Sequence, residues 1–118
     1  MKNKIFDIIV VGAGIAGLSA AIKAGKLGAK VLIIEHFSFL GGMSTAGMVS
    51  PFMKHQINGE TLVNGIFNDL ENEMRLQNGM IDNGFYANSF RNAAYNLIKD
   101  NNVSVLFNTQ IISVNIIN

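Results

Sequence analysis

From Ile8 to Ile22 the chain carries no charged residue, and the rhythm of its apolar positions changes part-way. Ile5 to Val11 is nearly all apolar and rich in β-branched residues, the pattern of a central parallel strand buried on both faces. Gly12 ends that pattern. From Gly14 to Leu27 the apolar residues Ile15, Leu18, Ala21 and Ile22 recur at helical spacing, and Gly28 supplies a C-terminal stop. Val31 to Glu35 is apolar again and predicts a second strand. Strand, helix and strand make a βαβ unit, right-handed by default, whose two strands are neighbours.

Residues 38–60 read as a loop punctuated by Gly41, Gly42, Ser44, Gly47, Ser50, Pro51 and Gly59. A loop of that length inside a compact domain tends to be functional. Leu62, Val63, Ile66, Phe67, Leu70 and Met74 share one face at helical spacing and predict a helix over 60–77, ended by Gly79. A third helix is expected over 89–99, with Phe90, Ala94, Leu97 and Ile98 inward and Asn88 or Ser89 as its cap. Val103 to Phe107 predicts a third buried strand, and Gln110 to Ile117 is rich enough in Val and Ile to predict a fourth. Asn118 follows an apolar strand with no later partner, so the sequence is expected to be a fragment of a longer chain. The fold class is therefore α/β: a Rossmann-like dinucleotide-binding βαβ with a parallel sheet, incomplete on its C-terminal side.

The chemistry lies in the turn between the first strand and the first helix. Gly12, Gly14 and Gly17 form G-x-G-x-x-G. The first glycine permits the tight turn, the second lets backbone approach a pyrophosphate, and the third lets helix pack on strand. The diphosphate then sits where free N–H groups and the positive end of the helix dipole favour an anion. Glu35 closes the second strand, where a carboxylate accepts hydrogen bonds from ribose hydroxyls and repels a 2′-phosphate. Alone the glycine motif is weak; its placement between strand and helix, with an acid at the expected distance, gives it content. Both FAD and NAD use this unit. The glycine pair Gly41–Gly42, just past the second strand, favours FAD, because it allows backbone to approach the cofactor a second time. An NAD-dependent dehydrogenase and a non-catalytic, truncated nucleotide-binding module remain the alternatives.

Composition narrows the rest. Hydrophobic residues make up 49% and charged residues 14% of the 118 positions, which suits a buried α/β core or a piece of something larger. A net charge of +1 with scattered Lys and Arg offers no footprint for nucleic acid or an anionic membrane. Lys2 and Lys4 ahead of the apolar run resemble a secretion signal, but the run holds three glycines and is short for a bilayer span. The absence of cysteine excludes disulfides, thiolate zinc sites and a redox dithiol in this segment, and accords with a cytoplasmic protein. His36, at the end of the second strand, reads as a surface residue. His55, in the long loop, is a weak candidate proton donor. Arg91 reads as solvated, and Asp69, Glu71 and Glu73 as an exposed acidic face. No metal site can be built from this inventory. The expected partner is a small-molecule substrate of unknown identity.

With these residues in view, the chain resembles the FAD-dependent oxidoreductases of the glutathione-reductase-like two-dinucleotide fold. More narrowly, it is similar to a bacterial group marked by E…GGM-x-T-x-G-x-V-S-P-F, here Glu35, Gly41, Gly42, Met43, Thr45, Gly47, Val49, Ser50, Pro51 and Phe52. The resemblance spans essentially the whole chain, including the helix start at Gly65–Ile66 and the stretch VSVLFNTQIISV. It implies that Gly42, Met43, Ser44 and Ile111 join Gly12, Gly14, Gly17 and Glu35 as FAD contacts, Ile111 through its backbone to the adenine. It also implies that residues 1–118 are the N-terminal part of an FAD-binding domain. The substrate domain and the C-terminal Gly-Asp segment that holds the ribityl chain are absent from this sequence.

Overall fold

A computed structural model of the chain describes residues 4–82 and 84–117. Strand β1 (Ile8–Val11), helix α1 (Ile15–Lys26) and strand β2 (Val31–Ile34) form the expected βαβ unit. The strands are parallel neighbours in register Ile8↔Val31 to Val11↔Ile34. Gly28 adopts φ +90 just past α1 and its N–H bonds Gly25, so the helix stops where its glycine allows a left-handed turn. A short 3-10 turn (Gly42–Ser44) follows β2. Then come the hairpin β3 (Gln56–Ile57)–β4 (Glu60–Thr61), helix α2 (Ile66–Leu76), and the hairpin β5 (Met80–Ile81)–β6 (Gly84–Phe85). Helix α3 (Ala87–Asp100) and strand β7 (Ser104–Leu106) complete the order. β7 pairs parallel with β2, giving the sheet order β1-β2-β7.

The core lies between this sheet and the three helices. Val10, Val31, Ile33, Val103 and Val105 meet Leu18, Ala21 and Ile22 of α1, Leu70 and Met74 of α2, and Phe90, Ala94, Leu97 and Ile98 of α3. Phe85, Phe90, Ile22 and Met74 are among the largest fully buried side chains. Each such side chain contributes about 1.5–3 kcal/mol of hydrophobic stabilisation.

The acidic face of α2 is engaged rather than idle. Asp69 pairs with Lys26 of α1 at 2.6 Å, Glu71 pairs with Arg75, and Glu73 accepts from Asn96 of α3. The Lys26–Asp69 pair joins α1 to α2, yet both side chains keep about a third of their surface in water (38% and 33%). Asp69→Asn is therefore expected to lower stability by less than about 1 kcal/mol, read from a urea midpoint. A larger loss would mean that the pair fixes the α1–α2 packing.

Five expectations are corrected. β1 is not buried on both faces: Ile9 is 54% and Val11 64% exposed. Side chains alternate along a strand, so Val10 meets the helices while Ile9 and Val11 face away from them. Among the described residues nothing covers that second face or pairs with the outer edge of β1. The second helix begins at Ile66 rather than near Glu60, because Gly65 turns out of helical space (φ 76, ψ −127). Asn58 and Gly59, both at positive φ, fold Glu60 back into a hairpin instead. Asn88 and Ser89 do not cap α3, which starts at Ala87 and has no side-chain cap. Arg91 is not simply solvated: its guanidinium lies 4.0 Å from the Phe39 ring centroid. Residues 110–117 form no strand, and Ile112, Val114 and Ile116 are largely exposed, since among the described residues no strand lies beside them to complete a ladder.

Candidate dinucleotide-binding site

The βαβ turn is built as its glycines require. Gly12 takes φ +92, a left-handed conformation that a side chain resists, and its N–H bonds Ile34 across the sheet. A Cβ on Gly17 would collide with the Gly12 carbonyl oxygen and press on Val10. α1 therefore lies against the end of β1 only because position 17 has no side chain. A Cβ on Gly14 would meet nothing within 4 Å. Gly14 borders open space at the helix start, where no side chain caps α1 and no acid occupies its first turn. The first-turn N–H groups and the dipole of a 12-residue helix are thus available to an anion.

Glu35 is buried, 5% exposed, and binds the turn directly. One carboxylate oxygen accepts the N–H of Ala13 at 2.5 Å, and the other accepts the N–H of Phe37 at 2.8 Å. A carboxylate offers about four lone-pair positions, so two are left uncommitted by these bonds. The sequence pattern assigned Glu35 to the sugar alone. The structure adds that the same side chain staples the glycine turn to the end of β2. Ala13, fully buried and joined to Glu35 only through its backbone, was not legible as a site residue, because any side chain can supply an N–H.

The glycine pair after Glu35 returns to the same turn. The Gly41 N–H bonds the Ala13 carbonyl at 2.8 Å, and Gly14 and Gly41 form a parallel bridge. Gly42 sits at φ +54, and a Cβ there would approach the Gly14 Cα to 2.9 Å. Two separate glycine motifs are thereby pressed together beside the start of α1. The 3-10 turn is closed from within: the Thr45 hydroxyl donates to the Leu40 carbonyl at 2.7 Å, so it is committed to the loop rather than offered to a ligand. Ser44 is buried, while Met43 is 66% exposed. Ile111 is half-buried past β7, close in sequence to Thr109, whose N–H bonds the Glu35 carbonyl. Gly12, Gly14, Gly17, Glu35 and Gly42 thus converge on one turn. Met43 and Ser44 follow immediately, and Ile111 lies on the segment that runs alongside Glu35.

His36 is exposed at the end of β2 and contacts only the Phe37 ring edge among aromatic groups. His55 lies apart from the glycine turn, against the Phe52 and Phe67 rings. Among the described residues there is no cluster of three metal-ligating side chains, and no helix is long and apolar enough to cross a membrane.

A family model described as FAD dependent oxidoreductase matches residues 7–118. The chain belongs to that family. A ferredoxin–NADP reductase of Oenococcus oeni is 37% identical over 89 residues, covering 75% of this chain and 25% of the relative. The chain therefore spans about a quarter of that protein's length. Among solved structures, Thermovibrio ammonificans THI4 matches 86% of this chain and 38% of its own, with a TM-score of 0.53 at 17% identity. A complex of aklavinone-11 hydroxylase with FAD and aklavinone matches 96% of this chain and 27% of its own, with a TM-score of 0.50 at 18% identity. At those identities the likeness is one of fold, and it agrees with the α/β architecture and the parallel sheet. Family membership favours FAD as the cofactor, and it decides between the two dinucleotides that the glycine turn alone leaves open.

Proposed function

We propose that residues 1–118 are the N-terminal part of the FAD-binding domain of a cytoplasmic flavin-dependent oxidoreductase of the glutathione-reductase-like two-dinucleotide fold, within the GGM-x-T-x-G-x-V-S-P-F group. The observation that carries this reading is the closed arrangement of Gly12, Gly14, Glu35 and Gly42 beside an uncapped helix start. The FAD diphosphate lies across the first turn of α1, held by its N–H groups and dipole. Glu35 uses its two remaining lone-pair positions for the adenosine ribose. Met43, Ser44 and the backbone of Ile111 complete the contacts. The bound flavin supplies the hydride or electron chemistry, and the protein orients it and excludes competing reactions. This chain's own part is to grip the nucleotide half.

Gly14→Val in the full-length protein tests the reading. The new side chain enters open space without a clash, and exchanging the N-cap glycine of α1 for valine is expected to cost only about 1 kcal/mol of stability. It also fills the ground assigned to the diphosphate, so flavin content per chain, read from visible absorbance, is expected to fall at least ~10-fold, a loss of about 1.4 kcal/mol in binding. Unchanged flavin content sinks the assignment. Mass spectrometry that recovers NAD and no flavin from the native protein overturns the choice of cofactor.

A further inference from the structure

A second concave site lies away from the glycine turn. It is a cavity of about 590 Å3, within the range of small-molecule sites. One wall is the segment 52–56; the other comes from α2 and the β5–β6 hairpin. None of Gly12, Gly14, Gly17, Glu35 or Gly42 lines it.

The first wall is held in place by packing. The Phe52 ring lies 5.0 Å from Phe67 of α2 and 4.8 Å from Phe85 of β6, and Pro51 bridges to Gly84. Aromatic pairs at such spacing favour one arrangement. The His55 ring packs on Phe52 and Phe67, with Nδ1 3.2 Å from the Met53 carbonyl. A carbonyl oxygen only accepts, so in the neutral ring that bond puts the hydrogen on Nδ1 and leaves Nε2 as an acceptor.

The two walls differ in charge. The 52–56 wall carries the Lys54 ammonium and no carboxylate. The opposite wall carries the carboxylates Glu71 and Asp82 against the single guanidinium of Arg75. Glu71 is already bonded to Arg75. Lys54 and Asp82 form no ion pair among the described residues. The cavity thus presents one unpaired cation and one unpaired anion from different elements. A ligand of a single sign would satisfy one and be repelled by the other.

We propose that this cavity binds a small zwitterion of the amino-acid class, its carboxylate toward Lys54 and its ammonium toward Asp82, with the His55 Nε2 able to accept a hydrogen bond from it. As the substrate chamber of an oxidoreductase this rests on the preceding reading. As a ligand site it rests on its own lining, so the two fail separately.

The test is calorimetric titration of the full-length, flavin-loaded protein with glycine, β-alanine and 4-aminobutyrate. Butyrate and butylamine serve as the separated halves, and flavin absorbance is followed in parallel. The best zwitterion is expected to bind at least ~10-fold more tightly than either half. Asp82→Asn and Lys54→Gln are each expected to reduce it to the level of the halves without changing flavin absorbance. Asparagine suits position 82, where φ is +41. Glu60→Gln, on β4 outside the cavity, leaves affinity unchanged. Halves that bind as well as the zwitterion, variants that bind it as tightly as the parent, or no binding by any probe would each overturn the proposal, whatever the flavin content.

Discussion

Gly17→Ala is expected to destabilise the protein by about 2 kcal/mol or more and to release its flavin. Two effects oppose each other. Alanine is the better helix former, and replacing a glycine within α1 should gain about 1 kcal/mol. Against this, the new methyl meets the backbone carbonyl of Gly12, with Val10 Cγ1 at 3.3 Å behind it. Overpacking costs about 1–3 kcal/mol when side chains can yield. A carbonyl at the end of a sheet strand yields less, so the cost falls at or beyond the top of that range. Relief requires α1 to move off β1, which shifts the N–H groups proposed to receive the diphosphate. A urea denaturation midpoint and the flavin absorbance of purified protein measure both outcomes. A variant more stable than the parent, with full flavin, would mean that helix and strand have slack at this crossing.

Glu35→Ala should show two losses that Gly14→Val separates. In the flavin-free protein it removes the acceptors of the Ala13 and Phe37 N–H groups. Hydrogen bonds to a charged partner are worth about 1.5–3 kcal/mol each, and burying the carboxylate offsets part of that. A net loss of about 2–4 kcal/mol is expected from the denaturation midpoint. Glutamine keeps one acceptor oxygen but turns an amide NH2 toward the other N–H, so Glu35→Gln should fall between alanine and the parent. In the flavin-loaded protein, loss of the proposed ribose acceptor is expected to add a further drop of at least ~10-fold in flavin affinity, measured by fluorescence titration. If alanine leaves the apoprotein at full stability, the stapling role is wrong. If flavin affinity is also retained, the ribose role is wrong as well.

The glycine turn was readable because each of its demands is local. The spacing of Gly12, Gly14 and Gly17, the helical stripe of Leu18, Ala21 and Ile22, and an acid at the end of β2 are all encoded within about thirty residues. The partner of Gly42 was not readable. Its approach to Gly14 depends on how β2 carries the chain back across the turn, and no rule of spacing states that Gly41 will bond to Ala13. The committed hydroxyl of Thr45 has the same origin, since a loop threonine looks like a ligand donor until Leu40 takes its hydrogen. The hairpins at 56–61 and 80–85 escaped detection because each strand is two residues long, too short to show a period. Positive φ at Asn58, Gly59 and Asp82 signals them only in hindsight. The ring partner of Arg91, Phe39, lies in a distant loop, so no local pattern marks the contact.

Periodicity and glycine spacing alone specify a βαβ unit, the helix faces that pack and a turn suited to a diphosphate, because those properties arise between residues a few positions apart. Tertiary structure decides that, among the described residues, β1 is an edge strand with one bare face, that Glu35 holds the turn through the Ala13 and Phe37 N–H groups, and that Lys54 and Asp82 border one cavity. Each of these depends on which distant segments become neighbours, and contact across the fold leaves no trace in local pattern.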